Sequence, residues 1–186
     1  MKHAAYCLFE TPLGRCGIAW SEDNSEFPVT SLQLPEANDG LTESRIGRHS
    51  RAMEASDPPP AIRKIIQRIC SHLEGKTQNF RDIPLDVDDA SPFVQRVYDV
   101  ARKIPPGKTI TYGDIAKTMG HPDAVRAVGR ALGRNPIPLI IPCHRVVAAH
   151  GKPGGFSAYG GRVTKAKLLA LEGAVVNLCL ELKTEA

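Results

Sequence analysis

The spacing of apolar residues changes period along this chain, and that change limits what it can fold into. Near the start the pattern is that of strands. Ala5-Tyr6-Cys7-Leu8-Phe9 runs into the turn-forming Thr11-Pro12-Leu13-Gly14, and Cys16-Gly17-Ile18-Ala19-Trp20 resumes the extended pattern, which predicts a hairpin. Val29-Thr30-Ser31-Leu32-Gln33-Leu34 predicts a third strand. After Pro58-Pro59-Pro60 the period lengthens, and Ile62, Ile65, Ile66, Ile69 and Leu73 share one face of a helix. Strands followed by helices predict a mixed α+β fold. Residues 36–57, polar and carrying Asn38-Asp39-Gly40, predict a loose surface loop. Asp82 to Ala90, with Pro84 and four aspartates, predicts a linker, giving expected domains at 1–88 and 89–175 and a tail at 176–186.

The second half is helical in pattern and basic in charge. Ser91-Pro92 predicts a cap and a first-turn proline, and Phe93, Val94, Val97, Val100 and Ala101 mark the helix they open. Thr111 starts a short helix with Ile115, Ala116 and Met119 inward. His121-Pro122-Asp123 turns into another, with Ala124, Ala127, Val128, Ala131 and Leu132 as its buried stripe. Two short helices this close predict a helix-turn-helix. Arg126, Arg130 and Arg134 fall four residues apart and stand in a row on the opposite face, with Gly129 and Gly133 between them. Each helical glycine costs roughly 1 kcal/mol against alanine, which points to a requirement of either packing or close approach by a partner. Residues 1–90 carry a net charge of −4 and residues 91–186 a net charge of +8. A positive field confined to one half attracts a polyanion.

Composition removes several classes. With 42% apolar and 24% charged residues, the 186-residue chain is neither collagen-like nor wholly disordered. Pro142 cuts short Leu139-Ile140-Ile141, and no apolar run approaches the ~18 residues of a membrane helix. The opening MKHAAYCLFE lacks the apolar core of a secretory signal, so a cytoplasmic protein with no membrane association is expected, and a monomer is expected as well. Its five irregularly spaced cysteines are then free thiols. Cys7, Cys16 and His3 are candidate zinc ligands, but nothing fixes a fourth, so neither metal nor other cofactor is expected.

The chemistry concentrates at Pro142-Cys143-His144-Arg145-Val146. A thiol is nucleophilic only as thiolate, and His144 and Arg145 are neighbours able to stabilise one. In a regular strand, however, Cys143 and His144 would face opposite ways, so either the backbone turns here or a water bridges the two. This pentapeptide resembles the signature of the O6-alkylguanine-DNA alkyltransferases, also called methylated-DNA–protein-cysteine methyltransferases. Over roughly 91–174 the resemblance extends to Tyr112-Gly113-Asp114-Ile115-Ala116, Arg126-Ala127-Val128-Gly129, Asn135-Pro136, Leu168-Leu169 and Glu172-Gly173.

The resemblance implies a ribonuclease-H-like sheet-and-helix domain first and a mostly helical winged helix-turn-helix domain second. It implies double-stranded DNA containing O6-alkylguanine as partner, with O4-alkylthymine as a further substrate. Cys143 would accept the alkyl group, and His144 would take the thiol proton through a water. Glu172 would orient His144, Tyr112 would donate a proton to the departing guanine, and Asn135 would brace the cysteine segment. Arg126 would fill the gap left by a flipped nucleotide, with Ala127 and Gly129 beside it on the binding helix, and Arg130 and Arg134 would attract phosphates. Gly160, Gly161 and Lys165 would lie at the pocket. Counting from Cys143 puts Phe156 and Ser157 at the pocket positions, whereas counting back from Glu172 selects Ala158 and Tyr159. Two other readings stay open: a non-catalytic alkylated-DNA-binding or winged-helix regulatory protein, and a cysteine hydrolase using Cys143, His144 and Glu172.

Overall fold

The computed structural model describes residues 4–22, 26–50 and 53–174, so His3 and the 176–186 tail lie outside the described residues. Strands β1 (Ala4–Thr11) and β2 (Gly14–Ser21) form the expected hairpin, paired from Ala4↔Ser21 to Thr11↔Gly14. Gly14, at φ 119°, makes the reversal, and the Thr11 hydroxyl closes it by donating to the Gly14 carbonyl at 2.6 Å. β3 (Val29–Gln33) adds antiparallel to β2. The short β4 (Met53–Glu54) adds parallel to β1, giving the order β3-β2-β1-β4.

Residues 36–57 are not a loose loop. They hold α1 (Asp39–Ser50) and β4. Asn38, read from sequence as a turn residue, caps the helix, its Oδ1 accepting from the Leu41 N–H at 3.0 Å. Among its described residues, Ile46 is the one buried apolar side chain, so no apolar stripe announces the helix. Ile46 packs with Tyr6 and Ala19 on one face of the sheet. Gly17 admits it: a Cβ there would lie 3.0 Å from Ile46.

The opposite face, carrying Ala5, Cys7, Ile18 and Trp20, packs on α2 (Pro60–Leu73) through Ile62, Ile65, Ile69 and Leu73. That core continues into the second half through Val97, Ile115, Val128, Leu132 and Ile141. The stretch from Asp82 is docked, not free. Val29 donates to the Pro84 carbonyl at 2.9 Å, the Asp86 N–H donates to Val29 at 3.0 Å, and Ile83 is buried.

In the second half, Ser91 caps α3 (Pro92–Arg102), and β5 (Ile110–Thr111) pairs parallel with β6 (Val146–Val147). α4 (Tyr112–Thr118) starts at a capping box between Thr111 and Asp114. A 3-10 turn, Pro122–Ala124, leads into α5 (Val125–Gly133). Val128, Ala131 and Leu132 are buried on α5, whereas Ala124 and Ala127 are half-buried. The helix thus has a narrower packing stripe than its sequence suggested, because it is covered on one side only, by α3 and α4. The 137–141 run is buried but not extended: Ile141 donates back to the Ile137 carbonyl at 2.9 Å and Leu139 sits at φ 70°. α6 (Arg162–Leu171) completes the described chain. No helix among the described residues is long and apolar enough to cross a membrane.

Candidate active site

Pro142 (φ −80°, ψ 65°) breaks the extended backbone, and Cys143–Arg145 form a 3-10 turn. The backbone therefore turns at the cysteine, which removes the opposite-face problem of a regular strand. The Cys143 side chain is 6% exposed and lies at a cavity of ≈440 Å³. Tyr112 of α4 forms one wall, Gly129, Leu132 and Gly133 of α5 another, and Gly155, Phe156 and Ser157 a third. Gly154 decides where Tyr112 can sit. At φ 69°, its Cβ would fall 3.1 Å from the Tyr112 ring and hydroxyl.

Asn135 holds the segment before the cysteine. Its Nδ2 donates to the Ile141 carbonyl at 2.8 Å and its Oδ1 accepts from the Ile137 N–H at 2.9 Å. Behind the cysteine, Glu172 gathers the buried polar groups. Oε1 accepts from His144 Nε2 at 2.8 Å, His72 Nε2 at 3.0 Å and Arg145 Nη2 at 2.8 Å. Oε2 accepts from Arg145 Nε at 2.9 Å and from the Gly107 N–H at 3.3 Å. Burial alone would raise the Glu172 carboxyl, but hydrogen bonds from His144, His72 and Arg145 hold it far below the usual carboxylate range.

An ionised carboxylate is acceptor-only, so His144 presents Nε2–H to it and keeps Nδ1 as the free base. That Nδ1 is buried without a protein partner among the described residues. Burial lowers the His144 pKa against the pull of Glu172, so the ring is neutral at pH 7. Burial also pushes the Cys143 thiol up, opposed by the Asn135 side chain, Lys165 and backbone hydrogen bonds at Cys143 and His144. The resting centre is thus a neutral thiol near a neutral imidazole. Lys165 is fully buried, donates to the Val146 carbonyl at 2.6 Å and lies 5.9 Å over the Tyr112 ring. Burial lowers its pKa to about 8, resisted by the Cys143 charge.

Arg126, Arg130 and Arg134 are all exposed along α5, on the helix that walls the cavity. Residues 92–174 match the family model of the 6-O-methylguanine DNA methyltransferase DNA-binding domain. The methylated-DNA–protein-cysteine methyltransferase of Methanothermobacter thermautotrophicus is 36% identical over 162 residues, 87% of this chain and 81% of its own length. The chain belongs to the methylated-DNA–protein-cysteine methyltransferase family.

The constitutive Bacillus subtilis methyltransferase is 34% identical over 166 residues, 89% of this chain and 92% of its own. Among solved structures, Mycobacterium tuberculosis O6-methylguanine methyltransferase superposes with a TM-score of 0.72 at 34% identity, covering 91% of this chain and 93% of that one. The complex of Mycobacterium tuberculosis OGT with DNA gives 0.71 at 32% identity, covering 91% and 92%. This methyltransferase is accordingly a DNA-binding enzyme of alkyl-transfer repair with a mixed α+β fold.

Several positions in the methyltransferase differ from their sequence expectation. Arg145 does not serve the thiolate; its guanidinium is committed to Glu172 and to the Ile104 carbonyl at 2.6 Å. Gly160 and Gly161 do not line the cavity. At φ 79° and 50° they turn the chain into α6, and Thr164 fills the space where a Gly160 Cβ would stand. Lys165 is also outside the lining and lies behind it. Phe156 and Ser157 form part of the wall, while Tyr159 is 55% exposed away from it. Cys7 and Cys16 are buried free thiols, raised by burial to about 11 and about 12, and no metal-holding group of residues occurs among the described residues. His72, Gly107 and Gly154 were missed. Only His72 leaves a trace in the sequence: it sits three residues after Ile69 and seven after Ile65, a titratable side chain at a core position of α2.

Proposed function

We propose that the protein repairs O6-alkylguanine, and O4-alkylthymine, in double-stranded DNA by moving the alkyl group once and irreversibly to Cys143. The observation that carries this reading is the cavity itself, with a thiol in its wall, Tyr112 and Phe156 around it, and a buried imidazole base whose Nδ1 is free.

The target carbon is hidden inside a duplex, so the nucleotide is flipped into the cavity at a cost of a few kcal/mol. Arg126 occupies the gap it leaves, and Arg130 and Arg134 pair with phosphates. The thiol proton passes through a water to Nδ1 of His144, whose Nε2–H stays on Glu172. Lys165 supports the thiolate from behind. Sulfur attacks the alkyl carbon, the carbon–oxygen bond breaks, and its electron pair goes to the base oxygen. Tyr112, whose pKa is raised by burial and by the Cys143 charge, keeps its proton at pH 7 and delivers it to the guanine ring. Solvent then returns the His144 proton to the Tyr112 phenolate. The balance closes without a cofactor. The product is a thioether, which has no good leaving group, so one chain acts once. One chain supplies every residue of the site, which fits action as a monomer.

The same reading takes the first half as ribonuclease-H-like and the second as a winged helix-turn-helix, with α4 and α5 as the two helices. Intact mass after incubation with duplex DNA bearing O6-methylguanine tests the function. The expected result is one methyl in place of one hydrogen, retained and located at residue 143. Cys143→Ala is expected to gain no mass while binding the same duplex nearly as well as the parent. Binding by the parent without added mass would overturn the proposal in favour of a non-catalytic DNA-binding protein.

A further inference from the structure

We infer that His72 is a positioning residue for the reactive centre: in a fixed Nε2–H tautomer it holds Glu172 and, through Glu172, the imidazole of His144. This rests on the proposed function and assigns the N-terminal half a part in it. His72 lies in the last turn of α2, within the expected first domain and 100 positions before the carboxylate it meets.

Three contacts fix the ring. The backbone N–H of Gln78 donates to His72 Nδ1 at 3.0 Å, so Nδ1 carries a lone pair. Glu172 Oε1 stands 3.0 Å from Nε2, and a carboxylate only accepts, so Nε2 carries the hydrogen. The Phe80 ring tilts against the imidazole, with centroids 5.2 Å apart, and limits its rotation. His72 is 1% exposed and the Glu172 side chain is sealed from solvent, so water cannot replace the donor without opening the two halves.

The arrangement matters because one oxygen serves two imidazoles. Oε1 accepts from His72 and His144, while Arg145 reaches both carboxylate oxygens. Removing the His72 donor leaves Arg145 as the strongest remaining pull and lets the carboxylate rotate toward it, away from the His144 Nε2–H. The His144 ring, whose unpartnered Nδ1 is the proton acceptor of the proposed reaction, then loses the contact that fixes its orientation. His72 touches neither substrate nor sulfur, so its effect belongs to the transfer step and not to DNA binding.

The test compares His72→Met, which fills the space without a donor, with His72→Gln, which returns an N–H the same number of bonds from Cα. Three readouts are taken on the full chain: the single-turnover transfer rate at saturating duplex bearing O6-methylguanine, the affinity for that duplex, and the ring 15N shifts of His72 and His144. The Met variant is expected to transfer about tenfold more slowly with DNA affinity unchanged and the His144 Nε2–H signal displaced. The Gln variant should recover most of that rate. Equal rates for Met and Gln would mean that His72 only fills space, and a parental rate and parental His144 shifts in Met would likewise overturn the inference. Should neither variant fold, the unsubstituted protein still decides, since a protonated Nδ1 on His72 contradicts the tautomer. An unsubstituted protein that accepts no methyl at all defeats the proposed function, which is a different outcome.

Discussion

Glu172 is in contact with two histidines and one arginine, and a single substitution exposes how much rests on it. Glu172→Gln leaves the Arg145 guanidinium buried without its counter-charge, a change expected to destabilise by about 3 kcal/mol at pH 7. Because the folded carboxyl is held below its unfolded value, its stabilising contribution is complete above that value, near 4.3, and is lost as pH falls toward the folded one. The stability gap between parent and Glu172→Gln should therefore be widest at neutral pH and narrow below about pH 4, as measured by urea unfolding at each pH. Transfer by the variant should fall about 100-fold or more, since His144 loses the acceptor that fixes its tautomer. A gap that stays constant from pH 7 to pH 3 would show that the carboxyl is not held low. At this scale much of the site was legible. Cys143, His144, Glu172, Tyr112 and Asn135 were named from motif and resemblance, and the geometry brings them around one thiol. Arg145 was misassigned because adjacency in the chain says nothing about where a long side chain goes once the backbone turns.

α5 performs two jobs on two faces. Val128, Ala131 and Leu132 anchor it, Gly129 and Gly133 open the cavity wall, and the arginines line the outside. If Arg126 supports the flipped state, Arg126→Ala should slow repair of O6-methylguanine in duplex DNA by at least tenfold more than it slows reaction with free O6-benzylguanine, which needs no flipping. Equal losses on both substrates would count against that role. Elements with a strong period or a cap, such as the β1–β2 hairpin, α2 and α3, are readable in the sequence alone. α1 was not. Its single buried apolar residue gives no period, and its place depends on Gly17 of another element, a relation that no local window contains. In the 137–141 run the converse holds: burial is visible in its composition, but the tight turn around Leu139 is not, because it is set by Asn135 reaching across to Ile141.

Across the whole molecule, charge and architecture separate the two tasks. The acidic first half, with a net charge of −4, carries the sheet and places α2 behind Glu172, while the second half, at +8, carries the cavity and the arginine row. The division was legible by counting, but the seam was not, because the polar contacts from Ser31 and Leu32 to the Pro136 carbonyl, at 3.2 and 2.9 Å, join residues more than 100 positions apart. If the positive half meets a duplex through phosphates, affinity must fall with salt, with a slope of about 0.9 per neutralised phosphate on logarithmic axes. Replacing Arg130 and Arg134 together with alanine should then reduce that slope by about two while leaving the rate with free O6-benzylguanine within about twofold of the parent. The second measurement matters as much as the first, since these side chains are exposed and are not part of the cavity wall, so a loss with the free base would mean that α5 had moved. An unchanged slope would place the duplex on some other face of the basic half, and with it would go the argument that the arginine row and the cavity address the same nucleotide.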